Sequence, residues 1–197
     1  MERIWQHLKT LKKTVYSEPK FPWHESIIDS AFDQYVKDGS FKCVLDVGFG
    51  TGYSLEKFKK IGINPIGITL DQNELTYALN LKYDVHLMDM ANLNFDDEYF
   101  DLVWCRHTLE HSPMPLIALM EFNRVLGKSG KLYIEVPSDN VMHIENPNHF
   151  SVFSDGAWQA LFRKAEFTLL HRGQFSVIHP NGKQRWHDVY WQYWLRK

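Results

Sequence analysis

The sequence predicts an α/β fold: a doubly wound, mostly parallel sheet with helices on both faces and an antiparallel hairpin at its C-terminal end. Short apolar runs alternate with amphipathic segments from residue 42 to residue 136, which is the pattern of strands followed by crossover helices. Two long runs of alternating character, 167–175 and 188–196, flank a stretch that contains the turn residues HPNGK, and this is typical of a hairpin.

Two helices are predicted before the first strand. Ile4–Val15 carries apolar residues at helical spacing, and His24–Lys37 is the second helix. The segment SEPKFPW between them contains two prolines, which interrupt a helix. We expect residues 1–40 to cover the substrate side of one compact domain, of which residues 41–197 are the main part.

From residue 42 strands and helices alternate. The predicted elements are strand 42–47, helix 53–61, strand 64–69, helix 72–81, strand 84–88, strand 100–105, helix 114–125 and strand 131–136. GKSG, residues 127–130, is the turn that ends the last of these helices. Residues 137–153 are irregular and are expected to form a lid on the substrate side. The helix 154–164 follows, with Ser154 or Asp155 as its N-cap.

Composition disfavours several classes of protein. Apolar residues make up 44% of the 197 residues, and the net charge is −2 with no dense basic stripe, so no nucleic-acid partner is expected. No run approaches the roughly 20 apolar residues of a membrane helix, and the N-terminal residues lack the apolar centre of a signal peptide. Cys43 and Cys105 lie in apolar runs and are expected to be buried and reduced. These features predict a cytoplasmic protein without membrane association, either a monomer or a homodimer.

A glycine-rich loop follows the first predicted strand. In VLDVGFGTGYS, Gly48, Gly50 and Gly52 occupy alternate positions directly after an apolar run, where the backbone can approach a ligand closely. The spacing departs from the dinucleotide fingerprint G-x-G-x-x-G, because Tyr53 stands at its last position, and no G-K-[ST] follows. Both pyrophosphate-binding interpretations are therefore weakened. A tight turn without function is the alternative.

Four segments, in this order and at this spacing, resemble those of the class I S-adenosylmethionine-dependent methyltransferases: VLDVGFGTGYSLEKF, GITLDQNELTYAL, LMDMANLNFDDEYFDLVWCRHTLEH and ALMEFNRVLGKSGKLYIEVP. The resemblance covers residues 44–137 closely. It continues more loosely through NHFSVFSDGAWQALFRKAEF, which is similar to the small-molecule and sugar branch of that superfamily. The resemblance implies a Rossmann-like fold, S-adenosylmethionine as the cofactor and methyl transfer as the reaction.

The resemblance also implies which residues hold the cofactor. The glycine loop would pass under its methionine part, and Asp46 would orient the loop or the cofactor's amino group. Thr69 would share the ribose hydroxyls with Glu74 or Asp71, although Asp71 and Glu74 also have the spacing of a D-x-x-E capping box. Asp89 would accept a hydrogen bond from the adenine amino group. The full expected set is Asp46, Gly48, Phe49, Gly50, Gly52, Thr69, Leu70, Asp71, Glu74, Asp89, Met90, Ala91 and Arg106.

Histidines are the candidate acceptor-side residues. His107, His111, His143 and His149 fall in segments expected at the carboxyl edge of the sheet, where ligands bind in such folds. A hydroxyl acceptor must lose a proton during methyl transfer, and histidine is suited to take it near neutral pH. His149 is the first candidate, followed by His111 and His107; the alternative for each is a hydrogen-bonded or solvated histidine with no catalytic role. No metal is expected, because the sequence shows no tight ligand spacing.

These observations predict in-line methyl transfer to a small molecule or a saccharide, with a hydroxyl as the preferred acceptor. The alternatives are an N- or C-methyltransferase of a metabolite, a non-catalytic cofactor-binding subunit and a nicotinamide-dependent enzyme. A DNA base methylase is disfavoured because CRHTLEHS follows the fourth strand, where the resemblance to such enzymes would require an Asn/Asp-Pro-Pro-Tyr/Phe segment.

Overall fold

The computed structural model describes residues 22–37, 41–178 and 187–197, and of the first 21 residues only Arg3, Gln6, His7 and Thr10. Its elements, in chain order, are α1 (Pro22–Tyr35), β1 (Val44–Val47), α2 (Tyr53–Lys60), β2 (Ile66–Thr69), α3 (Gln72–Asn80), β3 (Asp84–Leu87), β4 (Phe100–Arg106), α4 (Pro115–Val125), β5 (Leu126–Pro137), α5 (Val141–Ile144), α6 (Asp155–Lys164), β6 (Thr168–Ile178) and β7 (His187–Arg196). A 3-10 turn, Leu109–His111, lies between β4 and α4.

The described strands form a seven-stranded sheet in the order β3-β2-β1-β4-β5-β7-β6. Strands β1 to β5 pair in parallel, and β7 pairs antiparallel with both β5 and β6. The predicted doubly wound sheet with an antiparallel C-terminal hairpin is thereby confirmed. Because the chain winds outward in opposite directions from β1 and β4, a crevice forms where the carboxyl ends of these two strands part.

Alternate side chains of the central strands enter two cores, one on each face of the sheet. Leu102 and Trp104 face α1 and α2, where the rings of Phe32 and Phe58 pack with their centroids 4.5 Å apart. Burial on both faces explains why β1 and β4 are mostly apolar. The core on the opposite face includes Val103, Cys105, Phe122, Trp158 and Phe162.

Three local expectations are corrected by the structure. Cys105 is buried, but Cys43 is exposed, because it precedes the first residue of β1. The GKSG turn lies within the bounds of β5, where Ser129 has a left-handed φ of 66° and lets the chain bend inside the strand. The predicted irregular segment contains the short helix α5, which Asn140 caps by accepting from the Met142 N–H.

Two expectations fall on residues that the structure does not describe. The predicted helix 4–15 lies mostly outside the described residues, apart from the helical Gln6, His7 and Thr10, and so does the hairpin tip, 179–186. The cover of the substrate side by residues 1–40 therefore stays a prediction. In the described part of the chain, no helix has both the length and the apolar character needed to cross a membrane.

Candidate active site

The glycine loop after β1 adopts a backbone that requires glycine. Gly48, Gly50 and Gly52 have φ angles of 70°, 54° and 82°, in the left-handed region that side chains disfavour. A Cβ on Gly48 would lie 2.3 Å from the hydroxyl oxygen of Thr108, whereas a Cβ on Gly50 would meet nothing within 4 Å. The loop is therefore tightly packed at its start and open at its centre, which is the shape of a cradle for a ligand.

The loop leads directly into a helix N-terminus. Gly52 is the N-cap of α2, so the first N–H groups and the positive end of the helix dipole favour a negatively charged ligand group there. The Phe49 side chain points away from this cradle. It is 4% exposed and packs in the core with Leu55 and Val85, so only the backbone of Phe49 remains for a ligand.

Asp46 holds the loop against α2. Its buried carboxylate accepts a hydrogen bond from the hydroxyl of Ser54, in the first turn of that helix. Burial raises the pKa of Asp46 to about 7, and the Ser54 hydrogen bond and the charge of Arg106 offset only part of this effect. Of the two roles expected for Asp46, these contacts match that of orienting the loop.

At the end of β2, Thr69 and Glu74 are paired. The Thr69 hydroxyl donates to the Glu74 carboxylate at 2.6 Å. Asp71 caps α3 by accepting from the N–H groups of Asn73 and Glu74 at 2.6 and 3.1 Å. The capping box is only half formed, since the Asp71 N–H donates to Thr69. Of the two candidate carboxylates, Glu74 is therefore the one that contacts Thr69. The side chain of Leu70, the next residue in the chain, is half-buried.

At the end of β3, Asp89 closes a turn. Its carboxylate accepts from the Ala91 N–H at 2.9 Å, and Met90 and Ala91 are buried. The Met88 N–H donates to the Thr69 carbonyl at 3.0 Å, so the segments that follow β2 and β3 lie side by side. The structure thus brings the expected ribose and adenine residues to neighbouring strand ends.

Strand β4 ends in a buried ion pair. The Arg106 guanidinium binds the carboxylate of Glu135 on β5, and the two side chains are 9% and 0% exposed. Tyr133 and Gln192 donate to the other carboxylate oxygen at 2.8 and 3.0 Å. Burial alone would raise the pKa of Glu135, but Arg106 and His107 hold it well below its usual value. Because the Arg106 side chain is committed to Glu135, only its backbone is open to a cofactor contact.

His107 follows this ion pair with a strained backbone. Its φ is 47°, which is uncommon for a non-glycine residue and concentrates at functional sites. Its N–H donates to the Glu135 carbonyl at 2.8 Å, and its Nε2 lies 2.9 Å from Glu135 Oε1. Its Nδ1 lies 3.8 Å from Oε1 of Glu110. Glu135 therefore holds both the backbone and the ring of His107.

His111 and His149 meet beside Glu110, with ring centroids 5.0 Å apart. Nδ1 of His111 lies 2.8 Å from the Asn148 carbonyl, and Nδ1 of His149 lies 3.0 Å from the His143 carbonyl. A carbonyl only accepts, so Nδ1 carries the proton in both rings and Nε2 is the acceptor. Burial lowers the pKa of His111, and it lowers that of His149 to about 4; both rings are neutral near pH 7.

His143 joins these rings to strand β7. Its Nε2 binds the Asp188 carboxylate, whose other oxygen accepts from the Tyr190 hydroxyl at 2.6 Å. The Tyr190 ring lies 4.6 Å from the ring of His107, and the rings of His143 and His149 are 5.8 Å apart. The four histidines form a contiguous group, hereafter the histidine cluster: His107, His111, His143 and His149.

The predicted lid, residues 137–153, docks onto the 3-10 turn. The N–H groups of Phe150 and Ser151 both donate to the Glu110 carbonyl at 2.9 Å, and the Ser151 hydroxyl donates to the Ser112 carbonyl at 2.7 Å. These bonds bring His149 next to His111, although the two residues are far apart in sequence.

Sequence reasoning did not single out three buried carboxylates of this region. Glu135 carried a signal, because it interrupts the apolar run KLYIEV. Glu110 carried a weaker one, since it stands directly before His111 in HTLEH. No sequence signal marked Asp188, because its partner His143 lies 45 positions earlier in the chain.

Comparisons with known proteins agree with this geometry. Residues 45–134 match the family model described as "Methyltransferase domain". The fold is similar to the crystal structure of an S-adenosylmethionine-dependent methyltransferase from Archaeoglobus fulgidus, with a TM-score of 0.70 over 98% of this chain and 99% of that one, at 15% identity.

Curated relatives act on different acceptors, according to their names. The chain is 25% identical over 154 residues to a ubiquinone biosynthesis O-methyltransferase of Coxiella burnetii, covering 74% of this chain and 61% of that protein. It is 34% identical over 107 residues to the chloroplastic tocopherol O-methyltransferase of Arabidopsis thaliana, covering 50% and 31%. It is 24% identical over 152 residues to a tRNA U34 carboxymethyltransferase of Nautilia profundicola, covering 68% and 49%.

The doubly wound sheet and the glycine cradle are consistent with the methyltransferase-domain model, which matches slightly less than half of the chain. The matched residues, 45–134, fall in the part of the chain in which the four segments resemble the methyltransferases. The chain spans less than two thirds of the length of each of the three curated relatives.

The open centre of the glycine loop predicts the effect of Gly50→Val. The new side chain would project into the cradle, so we expect loss of S-adenosylmethionine binding in calorimetric titration while the protein stays folded. Gly62→Val is the matched control: Gly62 also has a left-handed φ, 84°, and open surroundings, but it lies after α2. Both variants carry about 1–2 kcal/mol of backbone strain. Retained binding by Gly50→Val would mean that the loop is only a turn.

The buried Asp46 carboxyl predicts a pH-dependent stability. Its folded pKa of about 7 exceeds the unfolded value of about 4, so its contribution favours folding at low pH and is lost as the pH rises from about 4 to about 7. Asp46→Asn removes the ionisation and keeps a hydrogen-bonding partner for Ser54. Thermal melts should show a gain in Tm over the wild type at about pH 8 that shrinks by about pH 5. Parallel pH profiles of the two proteins would contradict this assignment.

Proposed function

We propose that the protein transfers a methyl group from S-adenosylmethionine to a hydroxyl of a small molecule or saccharide. The observation that carries this proposal is the position of the histidine cluster. His107 directly precedes Thr108, whose side chain abuts Gly48 at the start of the cradle and donates to the Val47 carbonyl at 3.1 Å. The cluster therefore begins where the cofactor cradle begins.

The residues of the cradle fit the cofactor in chemical type. The open Gly50 and the N-terminus of α2 suit the carboxylate end of the methionine part. Glu74 and Thr69 supply oxygen atoms for the ribose hydroxyls, and Asp89 supplies a carboxylate for the adenine amino group. When bound, S-adenosylmethionine supplies a methyl group already activated on a sulfonium sulfur.

The acceptor side needs groups that position a hydroxyl and favour loss of its proton. The histidine cluster offers the unprotonated Nε2 atoms of His111 and His149, next to the buried Glu110. Such groups can accept a hydrogen bond from a hydroxyl and align its oxygen with the methyl carbon. Two of the curated relatives are named as O-methyltransferases, which supports oxygen as the acceptor atom.

Titrations with S-adenosylmethionine and with nicotinamide dinucleotides test the cofactor assignment. We expect micromolar affinity for S-adenosylmethionine or its demethylated product, and none for the dinucleotides, because the loop lacks the dinucleotide spacing. A panel of hydroxylated metabolites, sugar nucleotides and amines, assayed for methyl transfer, tests the acceptor. If only amines are methylated, the acceptor atom is nitrogen and not a hydroxyl oxygen. If the cofactor binds but no acceptor is methylated, the result favours a non-catalytic subunit.

His149→Ala tests the acceptor side. Because this ring contacts His111, His143 and Asn146 and no residue of the cradle, kcat should fall by roughly 10²–10⁴-fold, the usual range for a lost proton-transfer group, while affinity for S-adenosylmethionine stays the same. His86→Ala is the control, since His86 is an exposed histidine on β3. If turnover by His149→Ala is near normal on the true acceptor, His111 or His107 takes its place in the proposal.

A further inference from the structure

We propose that Glu110, His111 and His149 bind a divalent first-row metal ion. One ligand atom of each residue, a carboxylate oxygen or an imidazole nitrogen, lies within 4.8 Å of those of the other two. Glu110 is buried and both histidines are half-buried, so the protein would hold the ion from one side and leave positions for an acceptor on the other. The use of this site in catalysis rests on the proposed function, whereas ion binding itself does not.

The hydrogen bonds of the two histidines fix which nitrogen is available. Both Nδ1 atoms donate to backbone carbonyls, those of Asn148 and His143, so both Nε2 atoms are unprotonated, which is the state in which a histidine nitrogen binds a metal ion. Metal-bound histidines are oriented in the same way, by donation from the second ring nitrogen to a carbonyl or a carboxylate.

Asn146 independently supports this tautomer of His149. Its side-chain oxygen accepts from the Asn148 N–H at 3.0 Å, so its amide N–H₂ group faces Nε2 of His149, 3.3 Å away. A donor at that position requires an unprotonated Nε2. The contact is long, so a metal ion can replace it at little cost.

The three ligand atoms need only a small adjustment to bind one ion. With bonds of about 2.0–2.2 Å, two ligands on opposite sides of a first-row ion are at most about 4.4 Å apart, so the site closes with movements on the order of 1 Å. Glu110 and His111 lie on one short turn, Leu109–His111, and the lid that carries His149 is tied to it through the Glu110 carbonyl. The backbone therefore already holds the three residues next to one another.

The donor set selects the type of ion. Two imidazole nitrogens with one carboxylate suit Zn²⁺, Mn²⁺, Fe²⁺ or Co²⁺, whereas Mg²⁺ and Ca²⁺ prefer oxygen ligands. His107 is not assigned to the site, because its Nε2 lies against Glu135. Three protein ligands leave at least one coordination position for an acceptor oxygen.

An ion at this position would change how the acceptor loses its proton. A hydroxyl bound to the ion has a lowered pKa, so it gives its proton to solvent as the oxygen attacks the methyl carbon. The oxygen–carbon bond forms, the carbon–sulfur bond breaks and its electron pair stays on sulfur. His149 would then be a ligand and not a base.

Titration with Co²⁺ alone tests the site without any assumption about the acceptor. Chelator-treated protein should bind one equivalent, seen by its visible absorption bands. His111→Ala and His149→Ala should each weaken binding by more than roughly tenfold, and His86→Ala should bind as the wild type does. If circular dichroism shows that an alanine variant is unfolded, Glu110→Gln is used in its place, because glutamine keeps the shape of the glutamate side chain.

The outcomes separate the two proposals. No Co²⁺ binding by the wild type, or equal binding by all three ligand variants, overturns the metal site. S-adenosylmethionine is titrated into the same metal-free protein. If S-adenosylmethionine binds and Co²⁺ does not, only the metal site is overturned. If Co²⁺ binds and S-adenosylmethionine does not, only the proposed function is overturned. Full turnover of the chelator-treated protein, unchanged by added metal, overturns the catalytic use of the ion and returns His149 to the role of base.

Discussion

The buried ion pair between Arg106 and Glu135 is the constraint on which the histidine cluster depends. Both side chains are buried within the sheet. Removal of either partner would leave an unpaired buried charge and would strongly destabilise the folded protein. The pair is completed by Tyr133 and Gln192, which ties β4 and β5 to β7. Because Glu135 also holds the ring and backbone of His107, the same contacts that join the strands set the position of the first histidine.

The remaining histidines follow from this anchor through short contacts. The ring of His107 packs on Tyr190, whose hydroxyl bonds Asp188, and Asp188 binds His143. The carbonyl of His143 then orients the ring of His149. These hydrogen bonds and ring contacts hold the members of the histidine cluster in place before any ligand is present.

The local geometry of the glycine cradle and of the neighbouring strand end could be predicted from sequence, because its determinants lie close together in the chain. Gly48, Gly50 and Gly52 lie within five residues, and Thr69 and Glu74 within six, directly after apolar runs that are evident without a structure. The errors have equally local causes: Cys43 stands just before its strand, and Asn140 nucleates a turn of helix in a segment without periodicity. In each case the local structure depends on one residue at the edge of an element, and the hydrophobic pattern of the segment does not reveal it.

The contacts that hold the histidine cluster could not be predicted from sequence, because the residues that make them are distant in the chain. The pairs Arg106–Glu135 and His143–Asp188 are separated by 29 and 45 positions, and neither has a spacing that a motif search recognises. His149 shows no tight ligand spacing in the sequence, because its proximity to Glu110 and His111 comes from the 3-10 turn and the docked lid. Residues that one local loop brings together can be predicted from sequence, whereas residues that such long-range contacts bring together become evident only in the structure.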